Sequence, residues 1–241
     1  AVQKHHPEFS IQKLDYDDPE TYKMLGQGDT EGVFQLESSG MKQVLVGLQP
    51  QNLEDVIALI SLYRPGPMDS IPTYLRNRHE PDKISYKTPQ LAHILDVTNG
   101  CIVYQEQVMQ IFRELAGFSF GQADNVRRAM SKKKHAVMEA EREHFVHGCT
   151  EPGHECPGCV ANGISEKVAN EIYDEMSSFA SYAFNKSHAA CYAYVAFQTA
   201  YLKCHYPSEF MAALLTSVLD NTDKVIEYSG ECARLGIKVQ P

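Results

Sequence analysis

Nine consecutive residues from Ala189 to Phe197 are apolar, inside a stretch whose composition predicts a helix over 188–205. A helix with no polar stripe is expected to be buried all round, so the rest of the chain has to surround it. The run is entered through Asn185, Lys186, Ser187 and His188. Asn and Ser cap helices well, and a helix N-terminus presents unpaired N–H groups and the positive end of the peptide dipoles. With Lys186 and His188 beside them, this mouth is a place where an anion would be stabilised. A capped core helix with a hydrogen-bonded histidine accounts for the same four residues.

Helix signals recur along the whole chain. Asp18-Pro19-Glu20 combines a cap, a first-turn Pro and a first-turn acid, and the helix it starts stops at Gly26. Asn52 caps a helix over Leu53 to Tyr63 that Pro65 ends, and Arg64-Pro65-Gly66-Pro67 makes a stiff turn. Further helices are expected at about 69–79, 104–116, 121–131, 135–147, 166–182, 208–219 and 223–235, with Gly117 and Gly236 as stops. Val33-Phe34-Gln35 and Ile102-Val103-Tyr104 are the internal strand candidates. The fold class is therefore mainly α, with few short strands. One compositional break, rich in Gly, Pro and Cys, runs from Gly148 to Gly163. It reads as a small loop inserted between two helices, so its removal is expected to leave the remaining fold largely intact.

A chain of 241 residues with 43% hydrophobic content can bury a sizeable core. No apolar run approaches the roughly 18 residues that span a bilayer, and no basic-then-apolar stretch opens the chain. A cytoplasmic setting without membrane insertion is the expectation. The net charge of −9, from 22 Lys+Arg against 31 Asp+Glu, works against coating nucleic acid over the whole surface, so any polyanion site is local. The start at Ala1 and the alternating end Ile237-Lys238-Val239-Gln240-Pro241 read as a piece of a longer protein.

One such local site is ADNVRRAMSKKKH, which gathers Arg127, Arg128, Lys132, Lys133 and Lys134. Positions four apart share a helix face, which aligns Arg128 with Lys132 in a stripe suited to phosphates. A solvated charged face, with lysines favoured near a helix C-terminus, explains the same residues. A second constellation is HGCTEPGHECPGCVANG, with Cys149, Cys156 and Cys159 in a C-x6-C-x2-C array and His147 and His154 nearby. Two thiolates on one side of a tight Pro-Gly turn, a third Cys and one His would complete a tetrahedral structural zinc site, with His154 or His147 as fourth ligand. Free thiols are the alternative. A redox role is disfavoured because no strand precedes the motif. Cys101, Cys191, Cys204 and Cys232 lie in or beside apolar stretches and read as small buried hydrophobes.

GVFQLESSGM (32–41), ALISLYRPGP (58–67), YQEQVMQI (104–111), RRAMSKKK (127–134), FNKSHAACYA (184–193), QTAYLK (198–203) and YPSEFMAALLTS (206–217) have to be read together. In that order they closely resemble the alpha subunit of bacterial DNA polymerase III, the C-family replicative DNA polymerases, over nearly the whole chain. The resemblance implies that residues 1–241 are the fingers domain, the helical part that closes over template and incoming deoxynucleotide, with 147–163 as its Cys/His-rich loop. It implies that Arg127 and Arg128, with Lys132, contact the triphosphate, and that Asn185, Lys186, Ser187 and His188 sit where the fingers meet the nascent base pair. Arg64, Lys133 and Lys134 are the candidate DNA contacts, Arg64 either touching DNA or only packing.

The same resemblance places the metal-binding aspartates of phosphoryl transfer in a palm domain upstream. No Pro-Asp-x-Asp-x-Asp-Phe motif occurs in this chain, and Asp15-Tyr16-Asp17 is better explained by the helix start beside it. Mg2+ is then expected only in the full-length enzyme, and no catalytic residue in this chain. Primer-template and deoxynucleoside triphosphates are the implied partners, with a sliding clamp and other replisome subunits met by regions outside these residues. The reading that competes with a polymerase part is a free-standing, zinc-stabilised helical module that binds nucleic acid through the Arg127 to Lys134 stripe.

Overall fold

The computed structural model describes residues 1–132, 135–180, 182 and 184–240. Among them are thirteen α-helices: α1 (Pro19–Gly26), α2 (Ser39–Leu48), α3 (Leu53–Leu62), α4 (Ile71–His79), α5 (Ala92–Leu95), α6 (Gln105–Ala116), α7 (Phe120–Ser131), α8 (His135–His147), α9 (Gly158–Ala161), α10 (Glu166–Ala180), α11 (Lys186–His205), α12 (Pro207–Ser217) and α13 (Thr222–Arg234). The chain divides into two compact units, one of Ala1–Ile60 with Ala190–Pro241 and one of Ser61–Ala189. No helix among the described residues is long and apolar enough to cross a membrane.

Local capping accounts for many of the boundaries. Asp18 accepts from the Thr21 N–H at 2.8 Å, Ser38 from Met41 at 3.3 Å and Asn221 from Lys224 at 3.1 Å. Ser119 and Gln122 exchange bonds reciprocally, with Gln122 N donating to Ser119 Oγ at 3.3 Å and Ser119 N to Gln122 Oε1 at 2.7 Å. Gly117 ends α6 at φ 76°.

In the Ser61–Ala189 unit the core is aromatic. The Phe112 ring lies 5.3, 5.0 and 6.0 Å from those of Phe118, Phe145 and Tyr173, and Ile111, Leu115, Ile172 and Met176 pack around them. The other unit has a smaller cluster of Met211, Tyr228 and Cys232, lined by Phe210, Leu214 and Leu215.

Four expectations change. The Val33-Phe34-Gln35 segment is a turn, because Gln35 takes φ 63°, which no strand residue adopts. Ile102-Val103-Tyr104 contributes a single bridge, Tyr104 to Phe184, and no strand. The apolar run in α11 is buried along one face only: Ala189, Ala193, Ala196 and Phe197 are fully covered, while Tyr194 and Val195 are 44% and 43% exposed. Consecutive residues spread around a helix, so a continuous run cannot all face one neighbour. For the same reason Cys191 is exposed and Cys204 half-buried, whereas Cys101 and Cys232 are buried.

The fourth concerns the 148–163 insertion, which is part of the core. Cys156 and Cys159 belong to the aromatic cluster, Cys159 fully covered, and Asn162 Nδ2 donates to the Leu115 carbonyl at 2.8 Å. At Gly158, held at φ 78°, an added Cβ would stand 2.3 Å from the Gly148 nitrogen, so the two backbones touch. Excising this loop would open the core, not spare it.

Candidate functional site

Two arginines next to each other on α7 have different surroundings. Arg127 donates from Nε and Nη2 to Asp124 Oδ1 at 3.0 and 2.7 Å, and from Nη1 to Gln105 Oε1 at 3.0 Å. Its side chain is 19% exposed, against 65% for Arg128, whose Nε meets Asp124 Oδ2 at 2.8 Å. Spacings of three and four residues let one carboxylate serve both. Bonds from Arg127 hold the Asp124 carboxyl below its ordinary value, with the Arg128 charge adding to the effect. One arginine is thus oriented from two sides, and the other is presented to solvent. Lys132 caps the end of α7 and is exposed, and Lys133 and Lys134 lie outside the described residues.

At the start of α11, Asn185 is the cap: its Oδ1 accepts from the His188 N–H at 2.9 Å. Its Nδ2 donates to Glu106 Oε1 at 2.8 Å, and the Lys186 N–H donates to both Glu106 oxygens at 3.2 and 3.1 Å. The anion at this helix mouth is therefore the chain's own Glu106 carboxylate. Lys186 Nζ lies 5.3 Å above the Tyr104 ring, and the His188 ring stands edge-on to Phe184 at 5.3 Å. Ser187 and His188 are exposed. Gln105 N donates to the Phe184 carbonyl at 2.9 Å, tying this approach to the start of α6.

Arg127 and Asn185, far apart in sequence, line one groove of about 500 Å³ with Gln105, Glu106, Met109 and Phe120. Arg64 is used inside the chain. Its guanidinium lies 4.1 Å from the Phe184 ring centre and donates to the carbonyls of Ser61 at 3.0 Å and Tyr182 at 2.7 Å. The sequence reading passes over Asp124, Gln105 and Glu106. Their signals are an acid three and four residues before the arginines, and a glutamate in the first turn of a helix.

No three of the expected zinc ligands Cys149, Cys156, Cys159 and His154 bring ligand atoms within 4.8 Å of one another. Cys149 and Cys156 pair through their backbones at 2.9 Å in both directions, and Cys156 Sγ faces the His144 carbonyl at 3.6 Å. Burial raises the Cys156 thiol and pushes Cys159 up to about 12. His154 sits exposed on the loop. His147 Nε2 lies 4.0 Å from Glu143 and 3.8 Å from Glu166. Cys156 and Cys159 pack in the core, with Cys149 partly buried against it. Among the described residues, the group that brings three candidate ligand atoms within 4.8 Å of one another is Glu20, Cys204 and His205. His205 Nε2 is also 2.9 Å from Asp18 Oδ2. This group could hold a metal ion.

Comparison with known proteins gives a consistent picture. Residues 1–153 match the family model described as bacterial DNA polymerase III alpha subunit finger domain. The DNA polymerase III subunit alpha of Thermus aquaticus is 49% identical over 239 residues, which covers 97% of this chain and 19% of that protein. The corresponding subunit of Staphylococcus aureus strain Mu50 is 44% identical over 233 residues, 97% of this chain and 21% of that protein. The chain spans about a fifth of the length of these curated relatives.

Proposed function

The chain belongs to the finger-domain family of the bacterial DNA polymerase III alpha subunit, and on that premise we propose that it supplies incoming-nucleotide and template contacts to a DNA-directed DNA polymerase of chromosomal replication. The observation that carries this reading is the shared groove of Arg127 and Asn185. The Arg127 fork is oriented by Asp124 and Gln105, and a planar guanidinium can bind two phosphate oxygens at once. Arg128 and Lys132 add charge beside it. Ser187 and His188, on the first turn of a long helix, are assigned to the nascent base pair, with Asn185 and Lys186 holding that turn against Glu106. Lys133 and Lys134 are assigned to the DNA backbone from sequence. These groups act by positioning and charge compensation during in-line transfer. Mg2+ supplies activation of the attacking hydroxyl when bound in the complete enzyme, through aspartates outside these residues. A cytoplasmic setting, a sliding clamp and further replisome subunits belong to that complete enzyme.

In the complete polymerase, Arg127→Ala and Arg128→Ala should each weaken nucleotide use by about 1.5–3 kcal/mol, with primer-template affinity much less affected. Single-nucleotide incorporation kinetics measure this, and parental kinetics for both variants would reduce the pair to a solvated face. The 241-residue chain alone should extend no primer with Mg2+ and four deoxynucleotides present. Extension activity that copurifies with it would contradict its role as a contact-supplying part.

A further inference from the structure

The YQEQ segment, residues 104–107, carries the partners of both site regions, because its side chains reach both halves of the groove. Gln105 Oε1 accepts from Arg127 Nη1 at 3.0 Å. The next residue, Glu106, accepts from Asn185 Nδ2 at 2.8 Å and from the Lys186 N–H at 3.1 Å. Gln107 locks the turn itself. Its Oε1 accepts from the Val103 and Tyr104 N–H groups, both at 2.9 Å, and its Nε2 donates to the Ile94 carbonyl at 3.1 Å and Thr98 Oγ1 at 2.7 Å. Gln107 is only 4% exposed, so this anchor is held within the core. A first turn fixed in this way is a rigid bracket, one arm on α7 and the other on the start of α11.

We infer that Gln105 and Glu106 are positioning residues, which set the Arg127 fork and the Asn185–His188 turn in one register for the incoming nucleotide. The inference rests on the assignment of Arg127 to the triphosphate. Gln105 orients that fork without neutralising it, because an amide oxygen accepts a hydrogen bond and carries no charge. Glu106 satisfies N–H groups at the α11 start and occupies the positive end of its dipole. A polyphosphate would meet repulsion there and is directed to Arg127 and Arg128, which leaves the α11 start for the base pair. Phosphate and base recognition are thereby separated by one carboxylate.

The test uses the complete polymerase subunit, with kcat and KM for a deoxynucleotide, primer-template Kd and Tm measured for each variant. Gln105→Met keeps length and shape but has no acceptor. It is expected to raise KM about 5- to 10-fold with Kd and Tm held. Combined with Arg127→Ala it should add nothing to the effect of Arg127→Ala alone, because it acts through that arginine. Gln105→Glu keeps an acceptor but brings the charge that would neutralise the fork, so its KM is expected to stay raised, and a parental KM in it would overturn the uncharged-acceptor role. Glu106→Gln keeps length and loses the charge at the helix mouth, and it gives an independent reading with an expected KM rise of about fivefold. A parental KM in Gln105→Met and Glu106→Gln, or a multiplicative double variant, overturns the inference. So does a fall in Tm without a change in KM, which would make the pair purely structural. If Arg127→Ala itself keeps the parental KM, the nucleotide-contact reading fails first, an outcome distinct from failure of the bracket alone.

Discussion

Lys203→Ala is expected to cost about 3–5 kcal/mol of stability, read as a lowered urea midpoint. Lys203 lies near the end of α11 with 1% of its side chain exposed. Its ammonium donates to the Glu31 carbonyl at 2.9 Å and stands 2.8 Å from Glu231 Oε1 and 3.4 Å from Glu31 Oε2. Arg234 bonds Glu231 at 2.7 and 2.8 Å and reaches Asp29 at 3.1 Å, while Lys42 pairs with Glu31. Truncating the lysine strands the Glu31 carbonyl and leaves Arg234 as the remaining cationic partner of the buried Glu231 carboxylate. That is why the cost exceeds the roughly 1 kcal/mol ceiling of an exposed pair. Lys203→Met, which fills the volume without the charge, should not restore stability; restoration would show that packing alone mattered. The same network makes the protein sensitive to acid. Bonds from Arg234, opposed by burial and assisted by Lys203, hold the Glu231 carboxyl at about 2, below its ordinary 4.5. A lowered folded-state pKa gives a stabilisation that is complete above the unfolded value and is lost as pH falls from there through about 2. It amounts to roughly 3 kcal/mol. Tm should drop over that window, and less steeply in Glu231→Gln. An unchanged slope would assign the acid sensitivity to other groups.

Phe112→Ala is expected to destabilise the Ser61–Ala189 unit by about 3–5 kcal/mol. Phe112 is fully buried in α6, with three aromatic rings whose centres lie within 6.0 Å. Removing it leaves a cavity between elements that hold α6, α7 and the 148–163 loop. Phe112→Leu, which retains most of the volume, should cost about 1–2 kcal/mol. Hydrogen exchange resolved along the chain checks the location, since the loss of protection should concentrate in residues 61–189. Equal losses for Ala and Leu would mean that ring geometry, not filled volume, decides stability there.

Helices with local punctuation are legible in the linear sequence. Asp18-Pro19-Glu20, Gly117 and the stretches around 121–131 and 135–147 fall where the α1, α6, α7 and α8 boundaries do. Capping and periodicity depend on residues within one or two turns, so a linear reading reaches them. Helix α2 escapes that reading although Ser38 caps it and Met41, Leu45 and Leu48 form its buried face. Gly40, Gly47 and two valines lower its intrinsic preference, and packing overrides that deficit. The strand expectation fails at Val33 to Gln35 because a short apolar segment does not reveal its backbone dihedrals.

The sequence by itself determined the mainly α class, most helix boundaries, the pairing of Arg127 with Arg128 as candidate cations and Asn185 as a cap. Only the tertiary structure decided that Glu106 is the anion at the α11 mouth, that Gln105 and Asp124 orient Arg127 while Arg128 stays exposed, and that the thiols of Cys156 and Cys159 are packed into the core. The division has one physical cause. Capping and periodicity act between neighbours along the chain, whereas most of these partners stand tens of residues apart and meet only where packing brings their helices together.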